Sequence, residues 1–168
     1  IIVAAVAFYA FFIARTSFQQ GGQTLFTLTD DAMISMRYAQ HLAAGQGITW
    51  NIGQPPIQGY TNPGWMLYMA GLHLLPVSAS TLCLLVMITS LVVLVLNICI
   101  IRRITVLLMP ESRTAPVLSA MIVTFYFPLV FWSLRGMEVG LACLLVDTAA
   151  LLCLRLMNDV RWTTIVAL

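Results

Sequence analysis

The feature that most limits how this chain folds is an uncharged run of 21 residues, Thr81 to Ile101, which Arg102 and Arg103 close. A helix needs about 20 apolar residues to cross the hydrocarbon core of a bilayer, so the run predicts a complete membrane span. The composition agrees, because 61% of the residues are hydrophobic and only 8% are charged. A soluble domain carries about 25% charged residues. The sequence therefore excludes a soluble domain and indicates an integral membrane protein.

Other apolar runs predict further spans, so the expected fold is an all-α polytopic membrane bundle. These runs cover residues 1–14, 115–134 and 137–156, and a fifth run starts at Trp162. Pro128 predicts a kink within its run, because proline leaves a helix carbonyl without its usual partner. Both ends of the chain are apolar and no initiator Met is present. We therefore expect this chain to be the N-terminal part of a longer protein.

Residues 15–80, between the first two spans, are predicted to form an extracytoplasmic loop with two short helices. The first helix is expected from Asp30 to Ala44. Thr29 or Asp30 is suited to cap its N-terminus, where the acidic side chains of residues 30 and 31 complement the helix dipole. The sequence Gly45-Gln46-Gly47 is typical of a helix end.

The second loop helix decides the topology. The apolar run Trp65–Leu75 has only 11 residues, so as a helix it is about 17 Å long, roughly half a bilayer. We therefore expect a juxtamembrane helix along the membrane surface and not a span. The positive-inside rule then places the larger group of arginines in the cytoplasm and the loop outside it. That group consists of Arg102, Arg103, Arg113, Arg155 and Arg161.

On this topology three carboxylates share the extracytoplasmic face: Asp30, Asp31 and Glu138. A carboxylate near a bilayer is costly unless it is solvated, paired or bound to a cation. Such a group predicts a divalent metal site, or a general base whose pKa is raised by the neighbouring negative charge. The alternative is that the two aspartates only complement a helix dipole and that Glu138 pairs with Arg135.

Arg37 and His41 follow Asp30 by seven and eleven residues, so all three lie on one stripe of the helix. A guanidinium beside an acidic group predicts phosphate binding, because it forms bidentate bonds to phosphate oxygens. The alternatives are an intrahelical ion pair for Arg37 and an ordinary surface position for His41. His73, alone on an apolar helix, predicts an interface anchor.

The sequence of residues 30–65, DDAMISMRYAQHLAAGQGITWNIGQPPIQGYTNPGW, resembles the first extracytoplasmic loop of GT-C-fold membrane glycosyltransferases. These enzymes use polyprenyl-phosphate sugars. The resemblance is strongest to the arabinofuranosyltransferase-like branch, with the pattern DDAxIxxRYAxNLxxGxGxxxNxGExxxGYTNxxW. The lipid A aminoarabinose transferases and protein O-mannosyltransferases share the layout more distantly. Residues 133–145, SLRGMEVGLACLL, also resemble the GMExxL segment of that branch. The implied fold is a GT-C-like transmembrane helix bundle.

The resemblance implies transfer of a sugar from a polyprenyl phosphate to an acceptor hydroxyl on a glycan, lipid or protein. The implied location is the bacterial cytoplasmic membrane, with the active site facing outward. Asp30 is then the catalytic base or a metal ligand, with Asp31 and Glu138 as its acidic partners and a divalent metal ion as the candidate cofactor. The implied substrate-binding residues are Arg37, Tyr38, His41, Tyr60, Thr61 and Asn62.

Two positions depart from the family pattern. Gln54 stands where the pattern has Glu, and His41 stands where it has Asn. Both changes are expected to shift the preference for donor or acceptor. The net charge of +2 is too small to predict a nucleic-acid partner.

Two other functions stay open from the sequence. One is a catalytically silent accessory subunit of a larger membrane complex that keeps the same fold. The other is a transporter, for which Asp147 and Pro128 within predicted spans are the only indications. Asp147 is expected to bond Thr124 or Thr89 on another helix in its protonated form, outside the active site.

Overall fold

The computed structural model describes residues 1–159, so the fifth span expected from Trp162 lies outside the described residues. The described chain is mainly helical and has one small β-hairpin. The helices are α1 (Ile2–Thr16), α2 (Asp30–Ala43), α3 (Pro63–Leu72), α4 (Ala79–Leu108), α5 (Ala115–Phe125), α6 (Phe127–Leu134) and α7 (Val139–Asp159). The strands are β1 (Phe18–Gln20) and β2 (Gln23–Leu25).

Within the described residues, α4 and α7 are each long and apolar enough to cross a membrane. Helices α5 and α6 count as a third span if the pair, bent by 49°, crosses as one unit. Helix α1 has 15 residues and is shorter than a full crossing. The predicted runs 81–101, 115–134 and 137–156 are thus confirmed as apolar helices, two or three of which could span a membrane.

The bend between α5 and α6 follows from Pro128, as the sequence predicts. Pro128 has no N–H to donate to the carbonyl of Thr124, four residues earlier. The hydroxyl of Tyr9, which is fully buried, donates to that carbonyl instead, at 3.2 Å. A side chain of α1 therefore satisfies the group that the proline leaves free.

The all-α prediction misses the hairpin of β1 and β2. The two strands pair antiparallel, with Gln20 opposite Gln23. Gly21 and Gly22 form the turn with φ of 59° and 78°, the left-handed conformation that a two-residue hairpin turn requires. Most residues of the strands are exposed, so the sequence shows no apolar alternation that would have indicated them.

The two loop helices form as expected. Helix α2 begins at Asp30 and ends at Ala43, and Gly45 follows with φ 73°. Helix α3 has 10 residues, which gives it a length of about 15 Å and confirms that this segment is too short to span. The two helices pack against each other and bury Met36 of α2 and Met69 of α3.

Helix α4 is the centre of the bundle. It packs against α1, α5, α6 and α7, and its buried face includes Met87, Leu94 and Ile98. Helix α4 runs away from the loop, and α5 and α6 run back toward it. The turn between α6 and α7 therefore lies next to the two loop helices. The candidate site lies at this meeting point.

Candidate functional site

The turn between α6 and α7 is tied to both loop helices by hydrogen bonds. The N–H of Thr29, just before α2, donates to the carbonyl of Arg135 at 2.9 Å. The guanidinium of Arg135 donates to the carbonyl of Thr27 at 3.0 Å. The indole N–H of Trp65, in α3, donates to the carbonyl of Gly136 at 2.8 Å. Residues that are more than 70 positions apart in the chain are therefore held at one place.

Glu138 belongs to this junction through a short chain of side-chain hydrogen bonds. The amide of Asn62 donates to Oε2 of Glu138 at 2.6 Å. The hydroxyl of Ser35, in α2, donates to Oδ1 of Asn62 at 2.8 Å. Ser35 and Asn62 are both buried, so the bond between them is shielded from water, while the bond to Glu138 is partly buried. Glu138 therefore lies against the loop helices, as the predicted topology requires.

Glu138 and Arg135 do not form the pair that was one alternative from the sequence. Arg135 bonds the carbonyls of Thr27 and Leu28, while Glu138 accepts from Asn62. Side chains three residues apart face each other on a continuous helix. Here α6 ends at residue 134 and the following glycine has a φ of 98°.

Asp30 and Asp31 form the first turn of α2, and both are exposed. Thr29 precedes the helix but makes no side-chain cap, and its hydroxyl donates to the carbonyl of Arg135 at 3.3 Å. Two carboxylates at the positive end of the helix dipole are favourably placed. No three His, Cys, Asp or Glu residues of the described chain form a group that could hold a metal ion. Asp30, Asp31 and Glu138 thus do not constitute a preformed three-ligand site.

A groove of about 630 Å³ opens beside α2, and we call it the loop groove. Its polar lining includes Asp30, Arg37, His41 and His73. Its apolar lining comes from α2 and from the beginning of α4, namely Met33, Ile34, Met36, Ala79, Leu82 and Cys83. Gln40 and Trp50 complete the lining. The groove therefore joins a charged rim to a hydrophobic wall.

Arg37 is held in the loop groove by the segment that follows α2. Its Nε donates to the carbonyl of Trp50 at 2.9 Å and its Nη2 donates to Oδ1 of Asn51 at 3.2 Å. The guanidinium also lies 4.4 Å from the centroid of the Trp50 ring. These contacts replace the intrahelical ion pair that was the alternative from the sequence.

The two histidines of the loop groove are fixed in different ways. Nδ1 of His41 lies 2.7 Å from the carbonyl of Thr49. Nε2 of His73 lies 3.1 Å from the sulfur of Met36, and burial lowers the pKa of His73 below its ordinary value. The sequence suggested only an interface anchor at His73. Its place in the loop groove results from packing of α3 on α2, which no local pattern encodes.

Tyr38 and Tyr60, expected to bind substrate, pack within the loop. Tyr38 is buried, and its hydroxyl donates to the carbonyl of Ile57 at 2.6 Å. Its ring lies 5.0 Å from that of Tyr60 and 5.7 Å from that of Trp50. Thr61 is exposed, and Tyr60 is half-buried. The aromatic cluster therefore shapes the segment that holds Arg37.

Gln54 accepts a hydrogen bond from the side-chain amide of Asn51 at 2.8 Å. Asn51 in turn accepts from Arg37. A glutamate at position 54 would accept the same bond and add a negative charge near the guanidinium. Glutamine at this position thus places less negative charge near Arg37 than a glutamate would.

No protein-family model matches the sequence, and no curated protein or solved structure matches it. Over residues 1–159, the fold and the site define a helical protein with two or three apolar helices that could span a membrane. Its long polar loop folds onto one end of the bundle.

Proposed function

We propose that this chain carries the active site of a membrane glycosyltransferase. The enzyme would transfer a sugar from a polyprenyl phosphate to an acceptor hydroxyl on a glycan, lipid or protein. The observation that supports this proposal is the loop groove, in which acidic, guanidinium and imidazole groups adjoin an apolar wall. A polyprenyl-phosphate sugar has the same division between a charged head and a hydrocarbon chain.

In the proposed reaction, the acceptor oxygen attacks the anomeric carbon of the sugar. The bond between that carbon and the phosphate oxygen breaks, and polyprenyl phosphate leaves with the bonding electrons. Asp30, exposed at the rim of the groove, accepts the proton of the acceptor hydroxyl as general base. Direct displacement of this kind inverts the configuration at the anomeric carbon.

Arg37 is the proposed partner of the phosphate. A guanidinium has five N–H groups, and the loop uses one on Nε and one on Nη2. Stacking on Trp50 fixes the plane of the guanidinium before the substrate arrives. Fixed donors stabilise the charge that develops on a leaving group without reorganising during the reaction.

Glu138 does not line the loop groove, so its proposed contribution is to position the loop helices beside the groove through the hydrogen bond from Asn62 to Oε2. Asp31 is the proposed second acidic group at the helix start. A divalent ion at Asp30, Asp31 and Glu138 stays a prediction of the resemblance. The described residues do not form a preformed group for this ion, so the proposed reaction does not include a metal.

The proposal is tested in membrane vesicles that contain the full-length protein. A synthetic polyprenyl-phosphate arabinofuranose serves as the first donor, followed by mannose and aminoarabinose analogues. Asp30→Asn should lower sugar transfer at least about 100-fold, the usual contribution of a general base. Glu111→Gln, which changes a carboxylate in the exposed turn between α4 and α5, should leave transfer unchanged.

Full transfer by Asp30→Asn would contradict the role of Asp30 as the base. An absence of transfer by the unmodified protein with every donor would favour the alternative function, a catalytically silent accessory subunit in a larger membrane complex.

A further inference from the structure

A second cavity lies among the apolar helices, and we call it the bundle cavity. It has a volume of about 540 Å³, within the usual range for small-molecule sites. Residues from α4, α5, α6 and α7 line it, and most of them are apolar. Two polar side chains, Asn97 of α4 and Asp147 of α7, are the exceptions that suggest a ligand.

Asn97 is 1% exposed and lacks one hydrogen bond. Its side-chain amide donates to the carbonyls of Val93 and Gly140, each at 2.9 Å. These bonds match the two protons of the amide. Its Oδ1 has no partner among the described residues, and a buried acceptor without a partner is costly. Because Oδ1 is fully buried it does not contact the open cavity, but its partial negative charge favours a positively charged ligand nearby.

Asp147 lies near the middle of α7 and is half-buried. The threonine partners suggested by the sequence are engaged elsewhere. Thr124 donates to the carbonyl of Ala120 in its own helix, and Thr89 bonds the hydroxyl of Tyr68. A carboxylate within a membrane helix is stabilised when it pairs with a cation.

The broken helix adds further features that favour a cation. Val123 and Tyr126, at the C-terminal end of α5, line the bundle cavity. The C-terminal end of a helix carries partial negative charge, and broken membrane helices use such ends to bind cations. The rings of Tyr126 and Trp132 also line the cavity. Aromatic faces attract alkylammonium groups.

We propose that the bundle cavity binds a lipophilic ammonium compound. The protonated amine would pair with the carboxylate of Asp147, and its hydrocarbon body would fill the apolar part of the cavity. A neutral alcohol offers a donor but no charge, and a bare metal cation offers charge but no apolar body. This site is independent of the glycosyltransferase proposal and uses none of the loop groove.

Protection of a cysteine tests the site in the full-length protein in detergent micelles. Cys143 lines the bundle cavity, so a variant with Ala at the other three cysteine positions reports on it. The probe is 1-adamantylammonium, and the measurement is the rate at which N-ethylmaleimide modifies the thiol. The probe should slow this reaction several-fold. A matched variant that keeps only the exposed Cys153 should show no change.

Asp147→Asn, checked for folding by gel filtration, should raise the probe concentration for half protection by about thirtyfold or more. Asp147→Glu should retain protection. The proposal is overturned if the probe gives no protection, if Asp147→Asn keeps it, or if neutral 1-adamantanol protects equally well. Protection by sodium ions alone would also overturn it and indicate an inorganic cation site.

Discussion

The side-chain amide of Asn62 and the carboxylate of Glu138 are joined by a 2.6 Å hydrogen bond, although 76 positions separate the two residues. Asn62 begins α3 as its N-cap, and Glu138 directly precedes α7. Ser35 extends the connection into α2. The position of the acidic side chain therefore depends on how the loop folds onto the bundle.

Asn62→Asp should destabilise this junction by about 1–3 kcal/mol at neutral pH, because it replaces a donor with a second carboxylate. The like charge raises the pKa of one carboxyl in the folded protein. At low pH one carboxyl is protonated and the two side chains do not repel each other. The destabilisation appears as the pH rises through the raised pKa and both carboxyls become charged. Thermal unfolding in detergent should thus show a smaller loss at acidic pH. Gln58→Glu, an exposed change of the same charge, is the control; an equal loss there would contradict the assignment.

Gly136 allows the turn after α6 to approach α2 closely. A Cβ at this position would lie 2.9 Å from the side chain of Leu28 and 3.1 Å from Cβ of Ala32, and the φ is 98°. Gly136→Ala should therefore cost about 2 kcal/mol or more of unfolding free energy, from backbone strain and overpacking.

Gly71→Ala is the matched control for that change. Gly71 lies within α3, and a Cβ there meets no atom within 4 Å. Alanine in a helix is favoured over glycine by about 0.5–1 kcal/mol, so this variant should unfold at the same or a higher temperature. Equal destabilisation of both variants would show that the close approach at Gly136 is unimportant.

The sequence predicts those parts of the fold that depend on local chemistry. The long apolar run predicts α4, the glycines after residue 44 predict the end of α2, and Pro128 predicts the bend before α6. Each of these signals acts within a few residues of its effect. The same reasoning misses the hairpin at Gly21 and Gly22, because its strands are mostly exposed and carry no apolar alternation.

The candidate site is predicted less completely, because it depends on contacts between distant segments. The predicted number of spans puts Glu138 on the same side of the membrane as the loop. It does not identify Asn62 as the hydrogen-bond partner of Glu138. His73 enters the loop groove only because α3 packs on α2. The orientation of Arg37 likewise depends on Trp50, thirteen residues further along the chain.

Tyr9 and Pro128 are expected to be energetically coupled through the carbonyl of Thr124. Tyr9→Phe removes the donor to this buried carbonyl and should cost about 0.5–1.5 kcal/mol. In a Pro128→Ala background the new backbone N–H can serve the carbonyl, so Tyr9→Phe should cost clearly less. A double-mutant cycle of unfolding in detergent measures the coupling. Additive effects of the two changes would contradict this account of the bend.

His73 should make the stability of the protein depend on pH. Burial lowers its pKa, so folding favours the neutral imidazole, while the unfolded chain binds a proton at about pH 6.5. The contribution of His73 is therefore present above about pH 6.5 and is lost as the pH falls through the lowered pKa of the folded state.

The test compares thermal unfolding at about pH 8 and about pH 5 in the unmodified protein and in His73→Gln. The groups that share the groove with His73 are Asp30, Arg37 and His41, and they are identical in both proteins. The unmodified protein should lose more thermal stability on acidification than His73→Gln does, because only it must protonate a half-buried imidazole. A steeper loss in His73→Gln, or a gain in stability of the unmodified protein at acidic pH, would show that the fold favours the charged ring.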